Sequence, residues 1–329
     1  NPDLKWQTTK KFNVGITSSF LGDRLNVNLD VYNEKTIDML IDRSLPPSSG
    51  TTSVKANLGS QTSNGIEFSV WGKIIRTKDW EWTLSVNGLH SKTTINNISE
   101  AMKRMNEQNA TGYTDGSVSV ASSSPLFQYR EGESPTAIYA VRSAGIDPAT
   151  GREIFIKQDG SYTYTYDTKD QVACGDTNPV MQGSFSSMLQ YKNFSLTASF
   201  QYRFGGKMYN STRALKVENI NPRQNCDVRA FTDRWTKPGD VKPYIDIANA
   251  TGNTSVYTDR FVEKDNELWL SSLYLQYNVP VTFLRKIHVQ KLYVGIGTED
   301  LFRITSAKYE RGTSYPYSRS VNMSASLTF

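Results

Sequence analysis

Over long stretches of this chain apolar and polar residues alternate one for one, a period of two that sends successive side chains to opposite faces of an extended strand. Phe12, Val14 and Ile16 interleave with Asn13, Gly15 and Thr17, and after Leu21, Gly22, Asp23 and Arg24 the pattern resumes as Leu25, Val27, Leu29 and Val31 against Asn26, Asn28 and Asp30. Two alternating runs around so short a break predict a hairpin. A second hairpin is predicted around Arg76, Thr77, Lys78 and Asp79, joining the run of Ile66, Phe68 and Val70 to that of Trp82, Leu84 and Val86. A third turns at Lys192 and Asn193, beyond which Phe194, Leu196, Ala198, Phe200, Tyr202 and Phe204 alternate with Ser195, Thr197, Ser199, Gln201 and Arg203. Leu273, Leu275, Tyr277 and Val279 run into Pro280, and Leu292, Val294 and Ile296 follow after a short connection. In the last strand Val321, Met323, Ala325, Leu327 and Phe329 share one face.

The period alone suits a half-buried strand of a sandwich as well as one facing lipid. The connections separate the two. Links at 21–24, 75–79, 191–193 and 280–288 are short, whereas those at 41–58, 96–177, 211–262 and 303–317 are long and rich in Ser, Thr, Asn, Gly and Asp. Short and long links in strict alternation are the mark of a transmembrane β-barrel, whose periplasmic turns are short and whose extracellular loops are long. The expected fold is all-β, a transmembrane antiparallel barrel of about nine strands that ends in the periplasm. An odd antiparallel count cannot close, and an open sheet in lipid leaves two rows of unpaired backbone groups at a cost of roughly tens of kcal/mol. Residues 1–329 are therefore expected to be the C-terminal portion of a larger barrel.

Composition narrows the classes further. Hydrophobic residues make up 37% of the chain, and its two cysteines cannot build a disulfide framework. A mean hydropathy of -0.51, with no long apolar run, excludes a helical membrane protein. Aromatic residues are generous at 12%, and tyrosine leads them, which suits surfaces apolar on one side and wet on the other. The net charge of +5 is spread along the chain, so nucleic acid is not an expected partner. The start, Asn1-Pro2-Asp3-Leu4-Lys5-Trp6, has no basic and apolar leader pattern, and the chain is expected to be mature, processed or cut from something longer.

Several motifs carry a resemblance. The opening Asn1 to Trp6, the stretch Gly145-Ile146-Asp147-Pro148-Ala149-Thr150-Gly151, the run Asp233-Arg234-Trp235-Thr236, Tyr257-Thr258-Asp259-Arg260-Phe261-Val262-Glu263, Asn278-Val279-Pro280 and the terminal Leu327-Thr328-Phe329 resemble the C-terminal barrel half of SusC-family TonB-dependent transporters of Bacteroidota. The resemblance covers essentially the whole chain. It departs at Glu299-Asp300-Leu301-Phe302, where relatives commonly carry Asn-Leu-Phe, and at Leu268-Trp269-Leu270-Ser271. It implies a plugged barrel of roughly 22 strands, with the plug absent from this chain. It also implies energy-coupled import across the bacterial outer membrane, with oligosaccharide as cargo and no enzymatic activity or cofactor. The implied partners are an SusD-like surface lipoprotein, TonB through an N-terminal part absent here, the remaining strands and plug, and outer-membrane lipid. Oligopeptide import, a non-transporting assembly subunit and a passive porin stand as alternatives.

Individual residues offer candidate sites. Phe329, ending an alternating strand, is expected to be the signal by which the barrel is recognised for insertion. Cys174 and Cys226 fall in the two longest loops and are expected to pair, since exported chains pass through an oxidising compartment. The loop aromatics Tyr113, Tyr162, Tyr164, Tyr166, Trp235, Tyr244 and Tyr257 are candidate stacking platforms, with Trp235, Tyr244, Tyr257 and Tyr164 put forward for substrate binding. Asn26, Asn28, Asp30, Glu67, Glu81, Arg203 and Gln276 are expected to face the lumen. His90 and His288 lack metal-site spacing. Gly205-Gly206-Lys207 reads as a rim turn, and the carboxylates Asp38, Asp42, Asp265 and Glu267 read as solvated charge at strand ends, with no nucleophile beside a positioned base.

Overall fold

A computed structural model describes residues 4–44, 50, 53–57, 59–114, 125, 127–220, 226–249, 256–284, 289–308 and 318–328, with backbone alone at 41–44, 53 and 108–114. In chain order its strands begin with β1 (Thr8–Phe20), β2 (Leu25–Ile37), β3 (Leu40–Ser44), β4 (Ser53–Asn57), β5 (Gly59–Arg76) and β6 (Trp80–Ile98). After helix α1 (Glu100–Thr114) come four shorter strands, β7 (Ala137–Ile146), β8 (Glu153–Ile156), β9 (Tyr162–Thr163) and β10 (Gln171–Asp176). The chain continues through β11 (Met181–Tyr191), β12 (Phe194–Tyr209), β13 (Val262–Asn278), β14 (Lys291–Glu299), β15 (Arg303–Thr305) and β16 (Val321–Thr328).

One antiparallel sheet dominates, in the order β1-β2-β5-β6-β11-β12-β13-β14-β16, with β15 pairing the upper part of β13. The expected nine strands are thus present along the path, and β1 and β16 are its two edges. Its short turns fall where the sequence places them. Leu21, Gly22 and Asp23 take left-handed φ values of 58, 62 and 62° in the first, and Lys192, at φ 50°, makes a two-residue turn with Asn193. In the second hairpin Val70 lies opposite Val86, Ile66 and Phe68 lie opposite His90 and Gly88, and Leu84 and Trp82 pair nearer the turn with Gly72 and Ile75, past a bulge after Lys73.

Register turns the period of two into faces. Leu196 lies opposite Leu189 and Leu275, and the same row runs on to Trp82 on one side and to Ile296 and Met323 on the other. One rung nearer the short turns, Trp80, Tyr191, Phe194 and Tyr277 form an aromatic row, with ring centroids 4.2 Å apart for Trp80 and Tyr191 and 4.7 Å apart for Phe194 and Tyr277. Aromatic belts of this kind mark a membrane interface. The apolar face has no second layer packed on it: Ile16 is 62% and Met323 82% exposed. A water-soluble sandwich would bury that face against another sheet, whereas lipid satisfies it as it stands.

β5 and β6, with 18 and 19 residues, exceed the 9–11 residues that a tilted strand needs to cross the hydrocarbon. They stand above the apolar band at the end where all the long connections lie. Those connections carry structure of their own. β3 and β4 pair in the first, and a sheet ordered β10-β7-β8-β9 fills the second together with α1. Residues 137–141 of β7 are all buried, so this strand shows no alternation at its start.

Candidate functional site

Two surfaces can meet a solute: the polar face of the sheet, and the body formed above it by the connections 99–180 and 210–261. On the polar face Asn26, Asn28, Asp30, Glu67, Glu81, Arg203 and Gln276 all lie opposite in register to the apolar rows, as expected. Asn28, Asp30, Glu67, Ser69, Asn87 and Gln182 line an open concavity of about 450 Å³. Higher on the same wall Arg203 reaches Asp265 at 3.0 Å and Glu267 at 2.9 Å, and Arg303 reaches Glu267 at 2.8 Å. This corrects the reading of Asp265 and Glu267 as solvated charge, because both are buried and held by arginines from neighbouring strands. Gly205 and Gly206 form a bulge inside β12, where the register with β13 shifts after Arg203, in place of the expected rim turn. Lys207 donates to the Cys174 carbonyl at 2.6 Å.

The two long connections interlock. The Val141 amide donates to the Tyr257 carbonyl at 3.0 Å, and the Ser143 amide donates to the Asp259 carboxylate at 2.9 Å. Arg260 then grips Glu153 with two 2.7 Å bonds and Glu218 with a third, and donates to the Pro243 carbonyl. Burial opposes the charge of Arg260, but the two carboxylates more than offset it and hold the guanidinium above its usual range. Burial likewise pushes up the carboxyls of Glu218 and Asp259, countered in part by Arg260. Arg234, wholly enclosed, donates to four carbonyls, those of Ala230, Ile245, Val217 and Glu218, at 2.6–2.8 Å. Its fork replaces the helical hydrogen bonds that the turns at 214–218 and 229–232 are too short to supply.

This body claims most of the aromatics proposed as stacking platforms. Trp235 is buried against Gly151, and its indole donates to the Pro148 carbonyl at 2.9 Å. Gly151 sits at φ 68°, where a Cβ would come within 2.5 Å of the Trp235 ring, so only glycine fits. Tyr244 is in the core cluster of Ala214, Val217, Ile220, Ala230 and Phe261, and Tyr257 is equally enclosed beside Tyr209. Trp235, Tyr244 and Tyr257 are thus enclosed, their faces taken up by packing between loops. Tyr164 alone of the four stays open, at 43% exposure. Its hydroxyl donates to Asp147 at 2.8 Å, a bond that raises the phenol pKa, while the Arg152 guanidinium sits 4.8 Å from the ring centre. Arg152, Glu153, Phe155, Tyr164, Glu218 and Phe261 are among the residues around a cavity of about 240 Å³. That is below the usual 300–1,000 Å³ of a ligand pocket, room for one sugar ring or one side chain.

The cysteines are a further correction, because Cys174 and Cys226 are both free thiols. Cys174 is fixed on β10, its thiol 3.5 and 3.4 Å from the Ala140 and Val172 carbonyls, and burial pushes its pKa up. Cys226 packs instead against the Ala214 cluster. The Nδ1 of His90 meets the Val180 carbonyl. Tyr162 is exposed, and Tyr166, whose hydroxyl is pushed up to about 12 by burial, packs edge-on against Phe155. Phe329, His288, and the side chains of Tyr113 and Asp42 lie outside the described residues.

Known proteins match this architecture. Residues 1–119 match the family model described as TonB dependent receptor-like, beta-barrel. TonB-dependent receptor P3 of Formosa agariphila is 25% identical over 320 residues, covering 93% of this chain and 30% of that receptor. The TonB-dependent receptor SusC of Bacteroides thetaiotaomicron is 27% identical over 64% of this chain and 20% of its own length. The chain is similar to part of a TonB-dependent receptor β-barrel. A solved structure of the RagAB peptide importer in its open-open state superposes on this chain with a TM-score of 0.77 at 23% identity, over 100% of this chain and 35% of that one. The chain thus spans about a third of the length of these relatives. Its two open edges belong to a larger barrel in the bacterial outer membrane, and the resemblance to SusC-type receptors of Bacteroidota holds.

Proposed function

We propose that this segment is the C-terminal part of an energy-coupled importer, supplying lumen wall and a large share of the extracellular mouth, with oligosaccharide as the cargo. The observation that carries the reading is the sorting of the chain: polar face inward, apolar face outward, and interlocked loops at one end only. The reading of a hydroxyl-rich cargo is supported by the amides and hydroxyls of Asn28, Ser69, Asn87 and Gln182, which line the concavity beside the carboxylates of Asp30 and Glu67. Amides and hydroxyls exchange hydrogen bonds with sugar hydroxyls without paying to desolvate a charge. An SusD-like lipoprotein would rest on the loop body, and TonB would act through the plug and N-terminal part. Phe329 would be the insertion signal.

Oligopeptide import is the second reading, favoured by the fold shared with the RagAB peptide importer. Calorimetric titration of the intact receptor, purified with its lipoprotein, against neutral oligosaccharides and oligopeptides of matched length separates the two. Saturable binding of oligosaccharide alone is expected. Peptide-only binding would overturn the cargo, and binding of neither by a receptor that carries its plug would favour an assembly subunit.

A further inference from the structure

The outward face of the wall distributes charge very unevenly. Along the unbroken register of β1, β2, β5, β6, β11, β12, β13, β14 and β16, the basic side chains aligned with the apolar rows are Lys10, Lys35, His90 and Lys92, and no carboxylate is aligned with them. All three lysines stand at the long-loop end, on β1, β2 and β6. Lys10 lies next beyond Phe12 on that face, Lys35 beyond Asn33 and Val31, and Lys92 beyond His90 and Gly88. At the opposite rim the strands on the same face carry the aromatic row Trp80, Tyr191, Phe194 and Tyr277, and the ammonium of Lys192, in the turn, lies 5.2 Å over the Tyr191 ring.

We propose that Lys10, Lys35 and Lys92 form a binding site for the phosphate groups of the glycolipid in the outer leaflet of the outer membrane. Lys10 and Lys35 are direct cross-strand partners. Like charges so placed repel unless an anion lies between them. All three side chains are exposed, and none makes an ion pair among the described residues. Lys92 is two strands from Lys35 and two residues along, about 12 Å away at the usual strand spacing and rise, within reach of the same headgroup. Between them lie neutral donors held on the same face: Asn33 donates to Asn64 at 2.5 Å, and Asn96 donates to Thr62 at 2.7 Å.

A lysine at the hydrocarbon edge could simply extend its ammonium into water. That explains one residue, but not three confined to one rim across β1 to β6 with no carboxylate on that face among the described residues. The long-loop rim is the outer one, where the phosphates of the outer leaflet lie just above the hydrocarbon. Charge complementarity therefore commits the patch to phosphorylated glycolipid.

Native mass spectrometry of the intact receptor in detergent tests this, with phosphorylated lipid A as the probe. The triple variant Lys10→Gln, Lys35→Gln, Lys92→Gln should lose retained lipid A on the order of tenfold. The corresponding triple Lys→Arg variant should keep it, and Lys11→Gln, on the polar face over the Tyr32 ring, should change nothing. Dephosphorylated lipid A should be retained equally by all. Unchanged retention by a triple Gln variant that migrates as a folded barrel would overturn the proposal, as would an equal loss for Lys11→Gln. Displacement of lipid A by equimolar phosphatidylglycerol would show a generic anionic surface, and displacement by millimolar inorganic phosphate a free-anion site. Either would overturn the glycolipid assignment.

Discussion

The wall and the loop body above it use charge in opposite ways. The wall turns Val14, Leu196 and Met323 outward, with no protein layer packed over them among the described residues, and keeps Asp30, Glu67 and Arg203 on its inner face. In the loop body the solvent is water, so the apolar residues go inside, and Glu153, Glu218, Arg234 and Arg260 go in with them. The difference follows from what each region has to exclude. A wall in hydrocarbon needs its backbone paired and its outer face apolar. Two loops of mixed composition have little apolar area to bury, and they are joined by charged forks that each satisfy several buried acceptors at once.

Removing the central fork should break that contrast most forcefully. Arg260→Ala leaves Glu153 and Glu218 buried without their partner, a loss of about 3–5 kcal/mol for a buried pair, felt locally. Hydrogen exchange should show protection lost together in β7 and in residues 226–249, with β11 and β12 unchanged. Equal loss in the wall strands would mean that the two regions are one cooperative unit. On the wall, Leu196→Arg should cost about 2–4 kcal/mol in folding into lipid vesicles, and Thr197→Arg on the inner face much less. Equal costs would reverse the assignment of faces.

The smallest effect concerns Asp227, at the loop surface. Its carboxyl is held down at about 2 by the hydrogen bond from the Arg229 side chain, helped by the Arg229 amide. The unfolded value is about 3.9, so the contribution is complete above about pH 4 and disappears as the pH falls through 2. Carboxyl-carbon NMR should show this titration near 2, and Arg229→Gln should return it toward 4.

The wall was legible because its period of two is local: Leu25 to Val31 and Val321 to Leu327 each declare a face within a few residues. Turn lengths supplied the topology, and counting strands exposed the two open edges. The loop body was hidden because its decisive contacts join distant residues, Glu153 to Arg260 across 107 positions and Trp235 to Pro148 across 87. The buried start of β7 has no alternation to read. Trp235, Tyr244 and Tyr257 look from sequence like open platforms, since a tyrosine in a hydrophilic loop gives no sign of whether another loop covers it. The lysine rim, by contrast, is a parity pattern that the sequence already contains; only the pairing of β1 with β2 and of β5 with β6 brings its members side by side.

Gly151 beneath the Trp235 ring, and the carbonyl of Pro148 shared by the indole and the Gly239 amide, stitch the β7–β8 turn to a chain segment that rises from a different hairpin. A hinge in either connection would have to drag the other with it. This sector of the mouth is therefore tied into a single cornice, in which two connections from different hairpins share one set of contacts.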